Sequence, residues 1–263
     1  MPIDTRNIFC QAFNNVGGLF GNYDDFLDGC DILATATTPG ITQNAKNNAR
    51  GAWYAWMFAI ESIRFNRNHE ASNYLVKLPN IVQFDSTLLY EQDLSDLIAD
   101  FKEKLNAIGN VNLVTSNPDF VIISRIVPNF LPTIPPVLAP VNLDTIDLWY
   151  RSFVGLCSLN QLIGYVGVKV SVRPDRRIQL LHEGSLRKAI YAHLQTRQWL
   201  INAPGIKYYA VSINFTLADK NGLRSVATHS IASAALKPEP AVDDVVSVFD
   251  RATASTFFSS VLI

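Results

Sequence analysis

The feature of this sequence that most constrains its fold is an apolar run that contains one lysine and leads into a charged turn. The run begins at Tyr165, includes Lys169, and ends where Arg173-Pro174-Asp175 interrupts the strand pattern. The flanking residues Val168 and Val170 indicate a central strand, in which an unpaired cation is costly to bury. The alternative is an edge strand that uses the charge to avoid aggregation.

A helix is predicted to follow this strand, from near Glu183 to about Leu200. Between Tyr165 and Trp199 the sequence carries seven basic residues against two acidic ones, whereas the whole chain has a formal net charge of -1. A locally basic segment in a mildly acidic protein favours a docking site for an anion over a generally basic surface.

Composition places the chain among ordinary soluble globular proteins. Its 263 residues are 48% hydrophobic and 17% charged, and we predict a single domain over residues 1–263. The sequence has no apolar run long enough to span a membrane and no signal-peptide pattern. The three cysteines are too scattered for a disulfide framework or a zinc site, which fits a reducing compartment. The expected location is the cytoplasm.

The apolar spacing predicts helices at Thr42–Arg67, Asp93–Ala107 and Leu143–Ser158, the first of them with one buried face. Residues 1–43 are expected to form an irregular or short-helical lead-in. Residues 238–263 are expected to serve dimerisation or DNA contact.

Short β-rich runs between these helices predict strands. They are Asn80–Asp85, Val111–Thr115, Phe120–Ile126, Lys207–Phe215 and Leu223–Ala234. The second and third are predicted to form a hairpin across residues 116–118, and the last two to form a pair across a turn at residues 219–222. Together with the helices, they predict an α/β fold with a mixed central sheet.

The sequence lacks the motifs of several common enzyme classes. The sequence has no G-x-S-x-G elbow, P-loop, G-x-G-x-x-G or C-x-x-C, and its four histidines are scattered. Carboxylates and a lysine near strand ends remain, and such groups hold Mg²⁺ next to phosphate.

The residues that carry this chemistry are Pro118-Asp119, Lys169 and Glu183, the last fourteen residues after the lysine. With them the chain resembles the PD-(D/E)xK nuclease superfamily. More narrowly, it resembles the type II restriction endonucleases that recognise CCGG-type sites. In that branch the carboxylate two residues before the lysine is missing, and a glutamate from the following helix replaces it. Gly167 occupies that position here.

The resemblance implies a restriction-endonuclease-like core, a Mg²⁺ cofactor and a role for each matching residue. Asp119 and Glu183 would hold the metal, and Lys169 would act at the phosphate. A glutamate on an early helix would supply a further ligand, and Glu61 stands 58 residues before Asp119. The resemblance also implies that the enzyme belongs to a restriction-modification system in the cytoplasm of a prokaryotic cell.

The same branch carries an arginine, an aspartate and an arginine at fixed positions after the lysine. Arg173, Asp175 and Arg176 match these positions, and Arg177 extends the cluster. Arginine pairs with guanine and a carboxylate accepts from cytosine in the major groove, so the cluster suits a G·C-rich site in double-stranded DNA. A homodimer would read a palindrome, and a tetramer is possible.

Other interpretations of these residues stay open at this point. Asp119 is compatible with a turn, Glu183 with the first turn of a helix, and Glu61 with a salt bridge. A structure-specific repair or recombination nuclease and a non-cleaving DNA-binding protein are the alternative functions.

Overall fold

A five-stranded sheet lies at the centre of the computed structural model, which describes residues 3–109, 113, 116–201, 204–232 and 238–263. The strands follow one another across the sheet in chain order. They are β1 (Asn73–Lys77), β2 (Phe120–Ser124), β3 (Leu162–Lys169), β4 (Lys207–Ser212) and β5 (Asp244–Ser247).

The sheet is mixed, as predicted. β1 and β3 each run antiparallel to β2, whereas β4 runs parallel to β3 and β5 runs parallel to β4. β3 is therefore the middle strand of five, and the prediction that Lys169 lies on a central strand is confirmed.

Helices cover both faces of this sheet. They are α1 (Thr5–Asn15), α2 (Tyr23–Thr37), α3 (Gln43–Asn68), α4 (Gln92–Gly109), α5 (Pro140–Leu148), α6 (Pro174–Arg197), α7 (Leu217–Leu223), α8 (Thr228–Ala232) and α9 (Arg251–Leu262). Short 3-10 helices lie at Ser86–Leu89, Trp149–Phe153 and Leu159–Gln161. Within the described residues, no helix is long and apolar enough to cross a membrane.

Helix α3 is the central helix on one face, and the predicted helix is confirmed. Thr42 caps it by accepting from the backbone N–H of Ala45. Every residue from 53 to 63 is buried, so the expectation of one buried face is wrong for the middle of the helix. The reason is that α3 contacts α2, α9 and β1 together, and such a helix must be apolar on all sides.

Helix α6 covers β3 and β4 on the sheet, and α4 packs against α6. The predicted start of α6 near Glu183 is wrong, because the helix begins nine residues earlier at Pro174. Proline suits the first helical position because its fixed φ is helical and its missing N–H would have no partner in the helix. The negative charge of Asp175 in the first turn interacts favourably with the helix dipole. The charged turn after β3 is therefore the first turn of α6.

The N-terminal region is more regular than expected. Residues 1–43 contain two helices of 11 and 15 residues, and the side chains of Asp4 and Asn22 cap them. Both pack against each other and against α3. Capping aspartate and asparagine were visible in the sequence, and they mark helix starts as well as loops.

The strand predicted before β2 at Asn80–Asp85 is wrong. Residues 80–85 form turns, and β1 lies earlier, at Asn73–Lys77. The predicted run Val111–Thr115 lies, except for Leu113, outside the described residues. Both edges of β2 are paired with β1 and β3 rather than with a hairpin partner from the preceding segment.

The C-terminal third of the chain confirms β4 but not the strand predicted after it. The predicted turn at 219–222 lies inside α7, and the predicted strand Leu223–Ala234 contains α8 instead. Residues 238–263 provide β5 and α9, and α9 packs in the core against α3 and β1. The predicted helix Leu143–Ser158 ends early, as α5 followed by a 3-10 helix.

A buried ion pair joins α6 to the segment before β5. Lys188 is 3% exposed and lies 2.7 Å from Asp243. We expect Lys188→Met to lower the free energy of unfolding by about 3 kcal/mol, because it leaves a largely buried carboxylate with less compensation. Urea denaturation measures this change. Lys104→Met, at the exposed pair with Asp100, is the control and should leave the free energy of unfolding close to the wild-type value. Equal effects would contradict the prediction.

Candidate active site

The sheet brings Asp119 and Lys169 together at one edge. Asp119 directly precedes β2, and Lys169 ends β3, its antiparallel neighbour, so the start of one strand meets the end of the other. Oδ2 of Asp119 accepts hydrogen bonds from Nζ of Lys169 at 2.9 Å and from the backbone N–H of Val168 at 2.6 Å. The predicted pairing of this aspartate and this lysine is therefore present in the fold.

Lys169 is held as a cation by its surroundings. Burial in itself lowers the pKa of Lys169, but the charges of Asp119 and Glu183 and the hydrogen bond to Asp119 outweigh it, and the pKa lies above its ordinary value. The ammonium group of Lys169 is therefore protonated at neutral pH. It is placed to donate hydrogen bonds to an anion.

Glu183 is the second carboxylate near this lysine, and it is 1% exposed. Its Oε1 accepts from the hydroxyl of Ser116 at 3.2 Å and from the side-chain amide of Gln179 at 3.0 Å, and its Oε2 accepts from the hydroxyl of Tyr208 at 2.7 Å. Burial, and after it the charge of Glu183, raises the pKa of Tyr208, so that this hydroxyl remains a donor. The helix dipole stabilises a carboxylate only in the first turn of a helix. Because α6 begins at Pro174, Glu183 lies well beyond that turn, and the dipole does not explain its presence.

Arg187 ties α6 to the segment that leads into β2. It is buried, donates to the carbonyl of Ser116, and reaches Oδ1 of Asn117 at 3.4 Å. Its guanidinium also lies over the ring of Tyr165, 5.1 Å from the centroid. One helix therefore positions Glu183 and also fixes the backbone next to Asp119.

A cleft of about 860 Å³ opens over Asp119 and Lys169. The N-terminal part of α3 lines it with carboxamides and the start of α6 lines it with arginines. These lining residues are Asn44, Asn47, Asn48, Arg173 and Arg176. Arg50 also borders the cleft, where it pairs with Asp24, Asp28 and Asp31 of α2.

The four residues predicted to read DNA do not all face this cleft. Arg173 and Arg176 line it, and both pair weakly with Asp175, at 3.4 and 3.9 Å. The side chains of Arg173, Asp175 and Arg176 are 66, 63 and 41% exposed. Arg177 lies 3.5 Å from Asp219 of α7. Arg173, Asp175 and Arg176 are therefore largely exposed and paired only with neighbours on their own segment, whereas Arg177 contacts a different helix.

Glu61 is not brought to the other carboxylates. It lies in α3 beside a separate small cavity, where Arg64 contacts one carboxylate oxygen at 2.9 Å and Arg251 the other at 3.4 Å. Glu61 therefore forms salt bridges, as the alternative interpretation of this residue predicted. The geometry gives no support to a second metal site formed by Glu61 and Asp119.

Several residues at the site were missed in the sequence. Asn44, Asn47 and Asn48 stand in an asparagine-rich run before the apolar part of α3, and this polar start was a usable signal. Tyr208 and Ser116 gave no signal, because only the pairing of β4 with β3 and the packing of α6 bring them to Glu183.

The oxygen donors of Asp119 and Glu183 suit Mg²⁺ better than a metal ion that is coordinated entirely by protein side chains. Within the described part of the chain, no three His, Cys, Asp or Glu side chains are grouped to hold a metal ion. Mg²⁺ is typically bound by one or two carboxylates, with water and substrate phosphate completing the shell. Asp119 supplies one hard oxygen donor in a cleft whose wall carries arginines and Lys169. The buried Glu183, whose charge acts on the same lysine, supplies a second, and together they meet this requirement.

Comparison with known proteins agrees with this geometry. Residues 18–262 match the model of the Cfr10I/Bse634I restriction endonuclease family. The type II restriction enzyme Cfr10I of Citrobacter freundii is 41% identical over 216 residues, which cover 79% of this chain and 75% of that enzyme. The chain belongs to the Cfr10I/Bse634I restriction endonuclease family. It is a type II restriction endonuclease.

Solved structures of the family share the fold. One structure of the Bse634I restriction endonuclease matches 92% of this chain and 86% of its own, with 30% identity and a TM-score of 0.82. A crystal structure of the type IIF enzyme Bse634I with cognate DNA matches 97% of this chain and 92% of the Bse634I chain, with 27% sequence identity and a TM-score of 0.85. The predicted restriction-endonuclease-like α/β fold is confirmed.

Proposed function

We propose that this member of the Cfr10I/Bse634I family cleaves double-stranded DNA in a Mg²⁺-dependent reaction at a short G·C-rich palindrome with a CCGG-like core. The observation that carries the proposal is the Asp119–Lys169 pair at the edge of the sheet, with Glu183 near enough to act on the charge of the same lysine. A structural neighbour that was crystallised with its cognate DNA supports a nucleic-acid ligand.

The proposed metal ligands are Asp119 and Glu183. When bound, Mg²⁺ would neutralise charge on the scissile phosphate and lower the pKa of a bound water. Lys169 is a cation at the cleft wall, so we assign it to the phosphate and to the orientation of the attacking water. Hydrolysis by a water in line with the leaving 3′ oxygen gives 5′-phosphate and 3′-hydroxyl ends.

Base recognition is assigned to the start of α6. Arg173 and Arg176 would donate two hydrogen bonds each to guanine, and Asp175 would accept from the amino group of cytosine. Their exposure and the position of both arginines at the cleft support this assignment. Arg177 must exchange Asp219 for DNA to take part.

A palindrome requires two copies of this surface related by a two-fold axis. We therefore propose a homodimer, in which each subunit reads one half-site and cuts one strand. In a tetramer, two such dimers would pair with each other. The enzyme would act in the prokaryotic cytoplasm, where its DNA substrate is found.

A hydrogen-bonded chain supports coupling between base reading and cutting. Arg176 donates to Oε1 of Gln179 at 3.2 Å, and the amide of Gln179 donates to Oε1 of Glu183 at 3.0 Å. All three lie on α6, so a proposed base-reading residue and a proposed metal ligand share one rigid element. Incorrect pairing at the bases would displace the carboxylate through the same contacts.

We expect Asp175→Ala to lower the cleavage rate at the preferred site about 10- to 100-fold, because one base contact contributes roughly 1–3 kcal/mol of discrimination. Cleavage kinetics on a DNA duplex and on duplexes with one altered base pair measure the loss. Asp93→Ala is a matched control, since Asp93 is also exposed in the first turn of a helix. A normal rate for Asp175→Ala would exclude the coupling.

Incubation with plasmid DNA and Mg²⁺, followed by sequencing of the ends, tests the proposed function. Discrete fragments with a shared G·C-rich palindrome are expected. Discrete fragments with an A·T-rich site would overturn the assigned specificity, and intact DNA at every metal concentration would overturn cleavage itself. Cutting only at branched or damaged positions would instead support a repair nuclease.

A further inference from the structure

Tyr208 is the residue of the sheet that reaches the proposed metal ligand on α6. It lies in β4 and is fully buried, and its hydroxyl donates to Oε2 of Glu183 at 2.7 Å. The two other donors to Glu183 bond at 3.0 and 3.2 Å, and both use Oε1. The contact from Tyr208 is therefore the shortest of the three and the one that fixes the second oxygen.

The space that Tyr208 uses lies next to Gly167. A Cβ atom at this glycine would lie 2.5 Å from the hydroxyl of Tyr208 and 2.6 Å from Cδ2 of Leu180. Both distances are shorter than ordinary Cβ contacts, so any side chain at position 167 would displace Tyr208 or Leu180, and both of these are fully buried. Position 167, two residues before Lys169, therefore has no room for a carboxylate while Tyr208 holds Glu183.

We infer that Tyr208 is a positioning residue that orients Glu183 for the metal, and that Gly167 is a glycine because the hydroxyl of Tyr208 fills its place. This inference rests on the proposed metal-dependent function. A hydrogen bond to an ionised carboxylate is about twice as strong as one between neutral groups. Partners that orient a metal ligand typically change metal affinity or activity by about 10- to 100-fold when they are removed.

The test compares two tyrosines that differ in what they contact. Tyr54 is also fully buried, and its hydroxyl donates at 2.7 Å to the carbonyl of Val248. Tyr208→Phe and Tyr54→Phe therefore each remove one buried hydroxyl and one hydrogen bond of the same length. A purely structural role predicts some loss of thermal stability, and no change in metal binding, for either variant.

We expect Tyr208→Phe to weaken Mn²⁺ binding to the full chain, measured by titration calorimetry, by about 10-fold or more. The Mg²⁺ concentration for half-maximal DNA cleavage should rise by a similar factor. Tyr54→Phe should match the wild type in both measurements. Wild-type metal dependence in Tyr208→Phe would overturn the inference.

Gly167→Ala provides a second variant if Tyr208→Phe does not fold. Its methyl group meets the hydroxyl of Tyr208, so metal binding should weaken in the same direction, and unchanged Mn²⁺ binding in a folded protein would overturn the inference. Failure of the proposed function looks different, because the wild type itself would then leave DNA intact at every Mg²⁺ concentration.

Discussion

Lys169→Ala is expected to lower the rate of DNA cleavage by about 10²–10⁴-fold while leaving DNA binding close to that of the wild type. This range is typical for the loss of a positioned proton-transfer or charge-stabilising group. Lys169 is the cation that contacts Asp119, and it ends a central strand whose backbone does not depend on its side chain. Single-turnover cleavage and a gel-shift assay with Ca²⁺ measure the two effects.

The control for this substitution removes a lysine from an aspartate outside the cleft. Lys102 on α4 lies 2.6 Å from Asp85, and both are partly buried, so Lys102→Ala also breaks a lysine–aspartate pair. We expect it to cleave DNA at a rate within a few fold of the wild type. Cleavage by Lys169→Ala at the wild-type rate would show that the chemistry lies elsewhere in the protein.

Glu183→Gln is expected to lower cleavage about 10³-fold, because a lost metal ligand removes several kcal/mol of charge stabilisation at the transition state. The substitution keeps the size of the side chain and an oxygen that can accept from Tyr208. The fold should therefore persist, with a melting temperature close to that of the wild type. Cleavage rates at increasing Mg²⁺ concentrations, together with thermal unfolding, measure both expectations.

Glu61→Gln is the matched control, since Glu61 is also a buried glutamate, but its partners are Arg64 and Arg251 rather than residues next to Lys169. It should cleave at nearly the wild-type rate and lose some thermal stability. A loss of cleavage equal to that of Glu183→Gln would restore Glu61 to the metal site and contradict the observed geometry.

The local pattern was sufficient for the residues at the sheet edge. The β-rich runs after Asp119 and around Lys169 indicated strands, and the strands formed where expected. Their direction and adjacency then bring the two side chains together. The misplaced start of α6 has a local cause as well, because Arg173-Pro174-Asp175 is compatible with a turn and with a helix N-terminus.

Long-range packing explains what the sequence could not predict. A separation of 58 residues in the sequence between Glu61 and Asp119 does not determine which end of helix α3 lies at the cleft. In the structure the asparagines at the start of α3 line the cleft, and Glu61 does not. Tyr208 reaches Glu183 only because β4 pairs with β3 in the observed register. The short strand β1 was missed because five residues carry too little periodicity.

A crystal of the enzyme with DNA and Mn²⁺ provides the most direct measurement of the proposed metal site. The anomalous scattering of Mn²⁺ locates the ion independently of any assumption about the mechanism. We expect a peak in contact with the carboxylates of Asp119 and Glu183. A peak held by Glu61 without either of them, or a metal elsewhere in a complex that cleaves its DNA, would contradict the proposed active site.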